Sequence, residues 1–351
     1  MYRPSDHHMG FSAVQSVSKL VLYTVQHFWR ACSAAILTLL LCYWLYGGVL
    51  IFILLCLAVC GAFYHYQDVL LYYPEQPESA RVFVQTPNTV GLPYENVFLE
   101  TDDGVRITGY FVPQSLDRRR EAPTMLYFHG NAGNIGHRLN NVQAIYSYCG
   151  CNVLLLEYRG YGKSEGSPSE NGMRLDAKAA MDYLLNREDV DSKKIIVFGR
   201  SLGGAVAIDL ASDLNYMKKI FVLIVENTFT SIPMMATQIV PGLEKLPVIC
   251  YRNQYLNIRK IRIVQVPTLF LSGLSDQMIP SRMMAELFQA CNAPLKHIER
   301  FEHGTHNGTW QCSGYYEAIN RFLSHIQQSS LATHVDQDYI RTAQQETGTV
   351  I

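Results

Sequence analysis

Gly199-Arg200-Ser201-Leu202-Gly203 sets a serine between two glycines at G-x-S-x-G spacing. Composition alone would produce this pattern in roughly one chain in ten of this length, so its neighbours carry the argument. Lys194-Ile195-Ile196-Val197-Phe198 before it reads as a strand, and Gly204-Ala205-Val206-Ala207-Ile208 after it reads as the start of a helix. A serine on such a strand-to-helix turn is projected by strained backbone, and the flanking glycines relieve the crowding. The helix N-terminus turns N–H groups and positive dipole toward any developing anion. The chemistry that fits is attack of the Ser201 hydroxyl on an acyl carbonyl.

A hydroxyl is a weak nucleophile until a base takes its proton. Behind a serine on this kind of turn, an acid and then a histidine follow in chain order. Of eleven histidines, His306 in Gly304-Thr305-His306-Asn307 follows the last strand-like run, Lys296 to Phe301, and opens a loop. His303 stands three residues earlier and competes for the role. A histidine in a loop is most often a surface residue; its place after the final strand favours His306. Asp276 follows the strand-like Leu269-Phe270-Leu271 and a turn containing Gly273. Its carboxylate would hold the imidazole tautomer and stabilise the imidazolium. An aspartate there is also a common turn residue or helix cap, and it is the order of the three residues that argues for catalysis. An oxyanion needs two backbone N–H donors. Leu202 would supply one, and Asn131, in the loop His129-Gly130-Asn131-Ala132-Gly133-Asn134 after the third strand, the other. That loop is no P-loop, because no Gly-Lys-Ser/Thr follows.

The elements around these residues alternate. Val97 to Glu100 and Val105 to Phe111 flank Asp102-Asp103-Gly104 and predict an antiparallel hairpin. Continuous apolar runs recur at 125–128, 153–156, 195–198, 222–225 and 269–271, as in strands buried on both faces. Helical stretches such as Gly172 to Leu185 and Leu202 to Asp213 separate them. The pattern is α/β, a mostly parallel central sheet with helices on both faces. Residues 230–263, with mixed polarity and no clear strand, are expected to form a small helical cap over the site. The polar tail, 330–351, is expected to be disordered, and its end, Thr349-Val350-Ile351, could add to a PDZ sheet edge.

His129-Gly130-Asn131-Ala132-Gly133-Asn134, Tyr158-Arg159-Gly160-Tyr161-Gly162-Lys163-Ser164-Glu165-Gly166, Gly199-Arg200-Ser201-Leu202-Gly203-Gly204 and Gly304-Thr305-His306-Asn307 together resemble the Bem46-type α/β-hydrolases. So do Val225-Glu226-Asn227-Thr228-Phe229, Thr309-Trp310-Gln311-Cys312 and the segment before Asp68. The resemblance covers nearly the whole chain apart from the first 30 residues and the tail. It implies the α/β-hydrolase fold, Ser201, Asp276 and His306 as a catalytic triad, and a single-pass type II topology. It also decides between the histidines, since the family's base occupies the G-x-H-N position. It supplies no substrate and points to no cofactor. The activity expected is cleavage of an ester or thioester, on a small acyl or lipid substrate or an acylated protein, through an acyl-Ser201 intermediate. A transacylase differs only in the acceptor, and a catalytically silent fold serving as a binding module at the membrane would have no need of an intact triad.

No Asp, Glu, Lys or Arg falls between Arg30 and Asp68. About 20 apolar residues cross a bilayer as a helix, so this interval predicts one anchor over 34–66, with its span from about 45 to 63. Trp44 and Tyr46 at one end and Tyr64 and Tyr66 at the other suit the two interfaces. Arg3, Lys19 and Arg30 precede it, whereas Asp68, Glu75 and Glu78 follow, with Arg81 further out. The positive-inside rule then leaves residues 1–33 cytoplasmic and the hydrolase domain, 67–329, lumenal or extracellular. Asn307-Gly308-Thr309 is an N-glycosylation sequon beside the proposed base. A net charge of −1 argues against nucleic-acid binding. Nine cysteines are too few for a disulfide scaffold in 351 residues and show no metal-ligand spacing.

Overall fold

The computed structural model describes residues 8–46, 48–239, 246–247 and 250–328. The tail at 330–351, its PDZ-like end included, and much of the middle of the 230–263 segment lie outside the described residues. The chain divides into two units, 1–65 and 66–351.

The first unit consists of helix α1 (His8–Tyr46) and most of α2 (Gly48–Leu71). Each contains a stretch long and apolar enough to cross a bilayer, Val21–Leu45 and Gly48–Leu71. Leu40, Leu41, Phe52 and Leu55 on these helices are exposed. Apolar surface of this extent suits a lipid surrounding better than water. The single span expected at 45–63 therefore starts in the last residues of α1 and runs into α2. The charge-free interval took Arg30 as a boundary, whereas length and composition tolerate one arginine inside Val21–Leu45, so a second candidate appears.

The second unit is built on an 8-stranded sheet. Its strands are β1 (Glu95–Glu100), β2 (Arg106–Val112), β3 (Thr124–Phe128), β4 (Asn152–Glu157), β5 (Ile195–Arg200), β6 (Val222–Glu226), β7 (Thr268–Gly273) and β8 (Lys296–Phe301). Their spatial order is β1-β2-β4-β3-β5-β6-β7-β8. β1 and β2 form the expected antiparallel hairpin, closed by the Thr101 hydroxyl, which donates to Asp103 Oδ1 at 2.6 Å and accepts from Val105 N at 3.1 Å. β2 also runs antiparallel to β4, and every later pairing is parallel.

β3 to β7 are buried throughout, which is why their sequences read as unbroken apolar runs. Alternate residues nevertheless serve different cores. Leu126, Leu154, Val197, Leu223 and Phe270 belong to one, with α4 (Glu170–Leu185), α5 (Leu202–Ser212) and α8 (Ser281–Ala290). Tyr127, Leu155, Phe198, Ile224 and Leu271 belong to the other, with α3 (Leu139–Ala144) and the helix over 315–328. Ser169 caps α4 by accepting from Gly172 N at 3.1 Å. Cys151 is buried in the second core and Cys149 packs against it.

The stretch expected to cap the site divides differently. α6 (Ile232–Ile239) begins it, but α7 (Asn257–Lys260) and the residues around it join the first core, where Tyr255, Ile261 and Val264 are buried. Alternating polar and apolar residues mark a helix with one buried face without saying which surface buries it.

Candidate active site

Ser201 occupies the turn between β5 and α5 with φ +56, a conformation L-residues seldom adopt. Its neighbours hold it there: Ser201 N donates to Glu226 O at 2.9 Å, and Thr228 Oγ1 donates to Ser201 O at 2.7 Å. The two glycines of the motif are required by space. A Cβ on Gly199 would stand 2.0 Å from Gly203 O, and one on Gly203 2.1 Å from Phe128 O.

His306 Nε2 lies 3.0 Å from Ser201 Oγ, and its Nδ1 lies 2.8 Å from Asp276 Oδ2. All three are largely shielded from solvent, with the Asp276 side chain 1% exposed. Asp276 Oδ1 accepts from Met278 N at 2.8 Å and Ile279 N at 2.9 Å, which fixes the carboxylate from behind. An ionised carboxylate only accepts, so Nδ1 carries the imidazole proton and Nε2 offers its lone pair to the serine hydroxyl. Residues 105 positions apart thus meet at the C-terminal ends of β5, β7 and β8. His303 is exposed and stands outside this relay.

Asn227, at the end of β6 with φ +43, joins the loops that carry Asp276 and His306. Its Oδ1 accepts from Gly273 N at 2.8 Å; its Nδ2 donates to Thr309 Oγ1 at 2.9 Å and Thr305 O at 3.2 Å. The loop after β3 passes directly against the serine: a Cβ on Gly130 would sit 3.6 Å from Ser201 Cβ. Two tyrosines clamp that loop. Tyr161 Oη donates to Asn131 O at 2.8 Å and Tyr158 Oη to His129 O at 3.1 Å. The amides of Asn131 and Leu202 form no hydrogen bond to another backbone group among the described residues. His129 and Glu157, both fully buried, lie 3.2 Å apart beneath the loop.

A cleft of about 390 Å³ opens over Ser201 and His306, with Asn131, Asn307, Arg138 and Arg200 also on its walls. No described residue of the 230–263 segment lines it. Among the described residues, no three His, Cys, Asp or Glu side chains gather as a metal site. Arithmetic on spacing missed Asn227, Tyr158, Tyr161, Arg138 and Arg200 as members of the site. For Asn227, Tyr158 and Arg200 the available signal was the second place beyond an apolar run, since the ends of buried strands are where side chains meet a cleft; Tyr161 and Arg138 carry no such signal.

Residues 123–220 match the model of the α/β-hydrolase fold family. The chain is 40% identical over 271 residues to the protein bem46 of Schizosaccharomyces pombe, covering 76% of this chain and 89% of that one. It is 40% identical over 273 residues to the α/β-hydrolase domain-containing protein WAV2 of Arabidopsis thaliana, covering 74% and 87%. An uncharacterized membrane protein of Saccharomyces cerevisiae is 36% identical over 263 residues, covering 74% and 89%. Among solved structures, an esterase of Pyrococcus furiosus superposes with a TM-score of 0.57 at 21% identity, over 70% of this chain and 95% of its own. At that identity the likeness speaks to the fold.

Proposed function

This chain belongs to the Bem46-type α/β-hydrolases, and from that premise we propose that it is a serine hydrolase cleaving ester or thioester bonds of lipids or acylated proteins. The observation that supports this most is the relay from Ser201 Oγ to His306 Nε2 at 3.0 Å and from His306 Nδ1 to Asp276 Oδ2 at 2.8 Å. In this reading His306 takes the hydroxyl proton as Ser201 Oγ bonds to the carbonyl carbon. The carbonyl electron pair moves to oxygen, and the Asn131 and Leu202 amides receive the oxyanion. Collapse breaks the bond to the leaving alcohol or thiol, which takes its proton from His306, and acyl-Ser201 remains. Water, deprotonated by His306, then attacks the acyl carbon and releases the carboxylic acid and free Ser201. Asp276 stays ionised and stabilises the imidazolium.

The reading places this chemistry on a membrane anchor, with α2 as the span. From Gly48 to Tyr66 the helix reaches about 28 Å, near the hydrocarbon thickness of a bilayer. Gln67 is buried and donates to Cys250 O at 2.7 Å, which supports starting the folded domain there. α1 is the weaker candidate, because a central arginine such as Arg30 costs about 2.5–3.5 kcal/mol on insertion. One crossing, with the positive charges upstream, makes the protein type II and the hydrolase domain lumenal or extracellular.

The test is labelling of wild-type and Ser201→Ala protein with a fluorophosphonate, the modified residue being read by mass spectrometry. Labelling at Ser201 that the variant loses is expected. Folded wild-type protein that stays unlabelled sinks the reading and leaves a catalytically silent fold.

A further inference from the structure

Two arginines take no part in the steps above yet line the cleft over Ser201 and His306. Arg200 stands immediately before the serine and is only 6% exposed. Its Nε is buried without a hydrogen-bond partner. The nearby acid, Glu226, is 1% exposed; it accepts from Tyr315 Oη at 2.6 Å on Oε2 and leaves Oε1 equally unpartnered. Burial raises the Glu226 carboxyl, against the opposing pull of Arg200, and no salt bridge joins the two among the described residues. Arg138 closes the short turn Ile135–Arg138; it donates to Ala132 O but its Nε is also buried and unpartnered. Although Arg138 as a whole residue is partly exposed, burial first and then the like charge of Arg200 lower its guanidinium to about 10. Both guanidinium groups belong to residues on the wall of one cleft. No aspartate or glutamate is among the residues lining the cleft.

A guanidinium withdrawn from water without a hydrogen-bonded carboxylate is costly, and the cost is relieved when a partner of opposite charge arrives. The arginine fork matches the oxygens of phosphate and carboxylate groups. We infer that this cleft takes an ester whose substrate molecule also carries an oxyanion group, a phosphate or a carboxylate, which pairs with Arg200 and Arg138 while the ester carbonyl faces Ser201. The inference rests on the hydrolase reading and narrows its substrate class to anionic esters, of which a lysophosphatidate is an example. A neutral monoacylglycerol would leave both cations unpaired, and a site built for a charged partner discriminates strongly against a ligand lacking it.

The test uses the full-length chain carrying Ser201→Ala in nonionic detergent, so that binding is read without turnover. Three probes share one acyl chain: 1-oleoylglycerol, its 3-phosphate and its 3-hemisuccinate. At least one anionic probe is expected to bind about tenfold or more tightly than the neutral one. Arg200→Gln added to the same chain is expected to remove that margin. A margin for the phosphate probe that inorganic phosphate competes away assigns the recognition to the headgroup itself. Equal affinity for all three probes, or a margin that survives both Arg200→Gln and Arg138→Gln, overturns the proposal. Binding needs no activated serine, so the two readings fail separately. Labelled wild type with equal binding keeps the hydrolase and rejects the anion site; unlabelled wild type that prefers the anionic probes does the reverse.

Discussion

Asn227 Oδ1 accepts a hydrogen bond from Gly273 N at 2.8 Å, tying the end of β6 to the end of β7, the strand that leads to Asp276. The same side chain donates into the His306 loop at Thr309 Oγ1 and Thr305 O. One amide group therefore braces the loops of Asp276 and His306, which also meet directly where Ser275 N donates to Gly304 O at 3.0 Å. Asn227→Asp keeps the acceptor and tolerates the left-handed backbone, but it removes both donors. The expected outcome is a fall in kcat of about 10–100-fold with KM little changed, as for a small misplacement of reacting groups. Steady-state kinetics on a short-chain ester, with melting followed in parallel, would check this. A folded variant with wild-type kcat would show that the loops hold their places without Asn227.

The relay makes unequal demands on its members. Ser201→Ala should abolish turnover by several orders of magnitude while the fold persists. Asp276→Asn should lower kcat by about 10⁴-fold, because an amide can stabilise the wrong imidazole tautomer. His306→Gln should be comparably severe, and His303→Gln close to silent, since His303 is exposed outside the relay. An Asp276→Asn enzyme with its rate intact would move the acid role to another residue.

Acid stability should carry the signature of Asp189. Arg187 donates to it at 2.8 and 2.7 Å and Arg119 at 2.9 Å. These hydrogen bonds, those of Arg187 first, hold its carboxyl at about 2 against an ordinary value of 3.8. The folded value lies below the unfolded one, so the contribution is complete above about pH 4 and is lost as pH falls toward about 2. The melting-temperature gap between wild type and Asp189→Asn should be widest near neutral pH and should close across that window. A gap independent of pH would remove the ionised carboxylate as its cause. Arg119 belongs to the run Arg118-Arg119-Arg120, and its pairing with Asp189, 70 positions away, is a tertiary event.

Topology can be read by protease protection in sealed microsomes. A single crossing by α2 predicts that the hydrolase domain is protected and the N-terminal segment digested. Digestion of the domain from outside would instead mean a single crossing of opposite orientation, with the N-terminal segment protected, or two crossings with Val21–Leu45 as the second span. In the protected case Asn307 enters a compartment where glycans are added. The Thr309 hydroxyl of its sequon is buried and engaged by Asn227, so any transfer must precede folding.

The linear chain by itself determined the elbow at Ser201, the strand-helix alternation and the order serine, aspartate, histidine. These are local properties: strands buried on both faces need unbroken apolar runs, and a strand-to-helix turn this tight admits only glycine at Gly199 and Gly203. The family motifs favoured His306 over His303, and the structure puts His306 3.0 Å from the serine. Tertiary structure alone decided the rest. Asn227 serves two loops, Tyr161 grips Asn131, and Arg138 and Arg200 share one cleft because distant segments converge at the same ends of a sheet. The burial of Tyr255 and Ile261 in a core depends on which surface covers a helix face. Periodicity records that a face is apolar, but what it packs against is fixed only when the whole chain has folded.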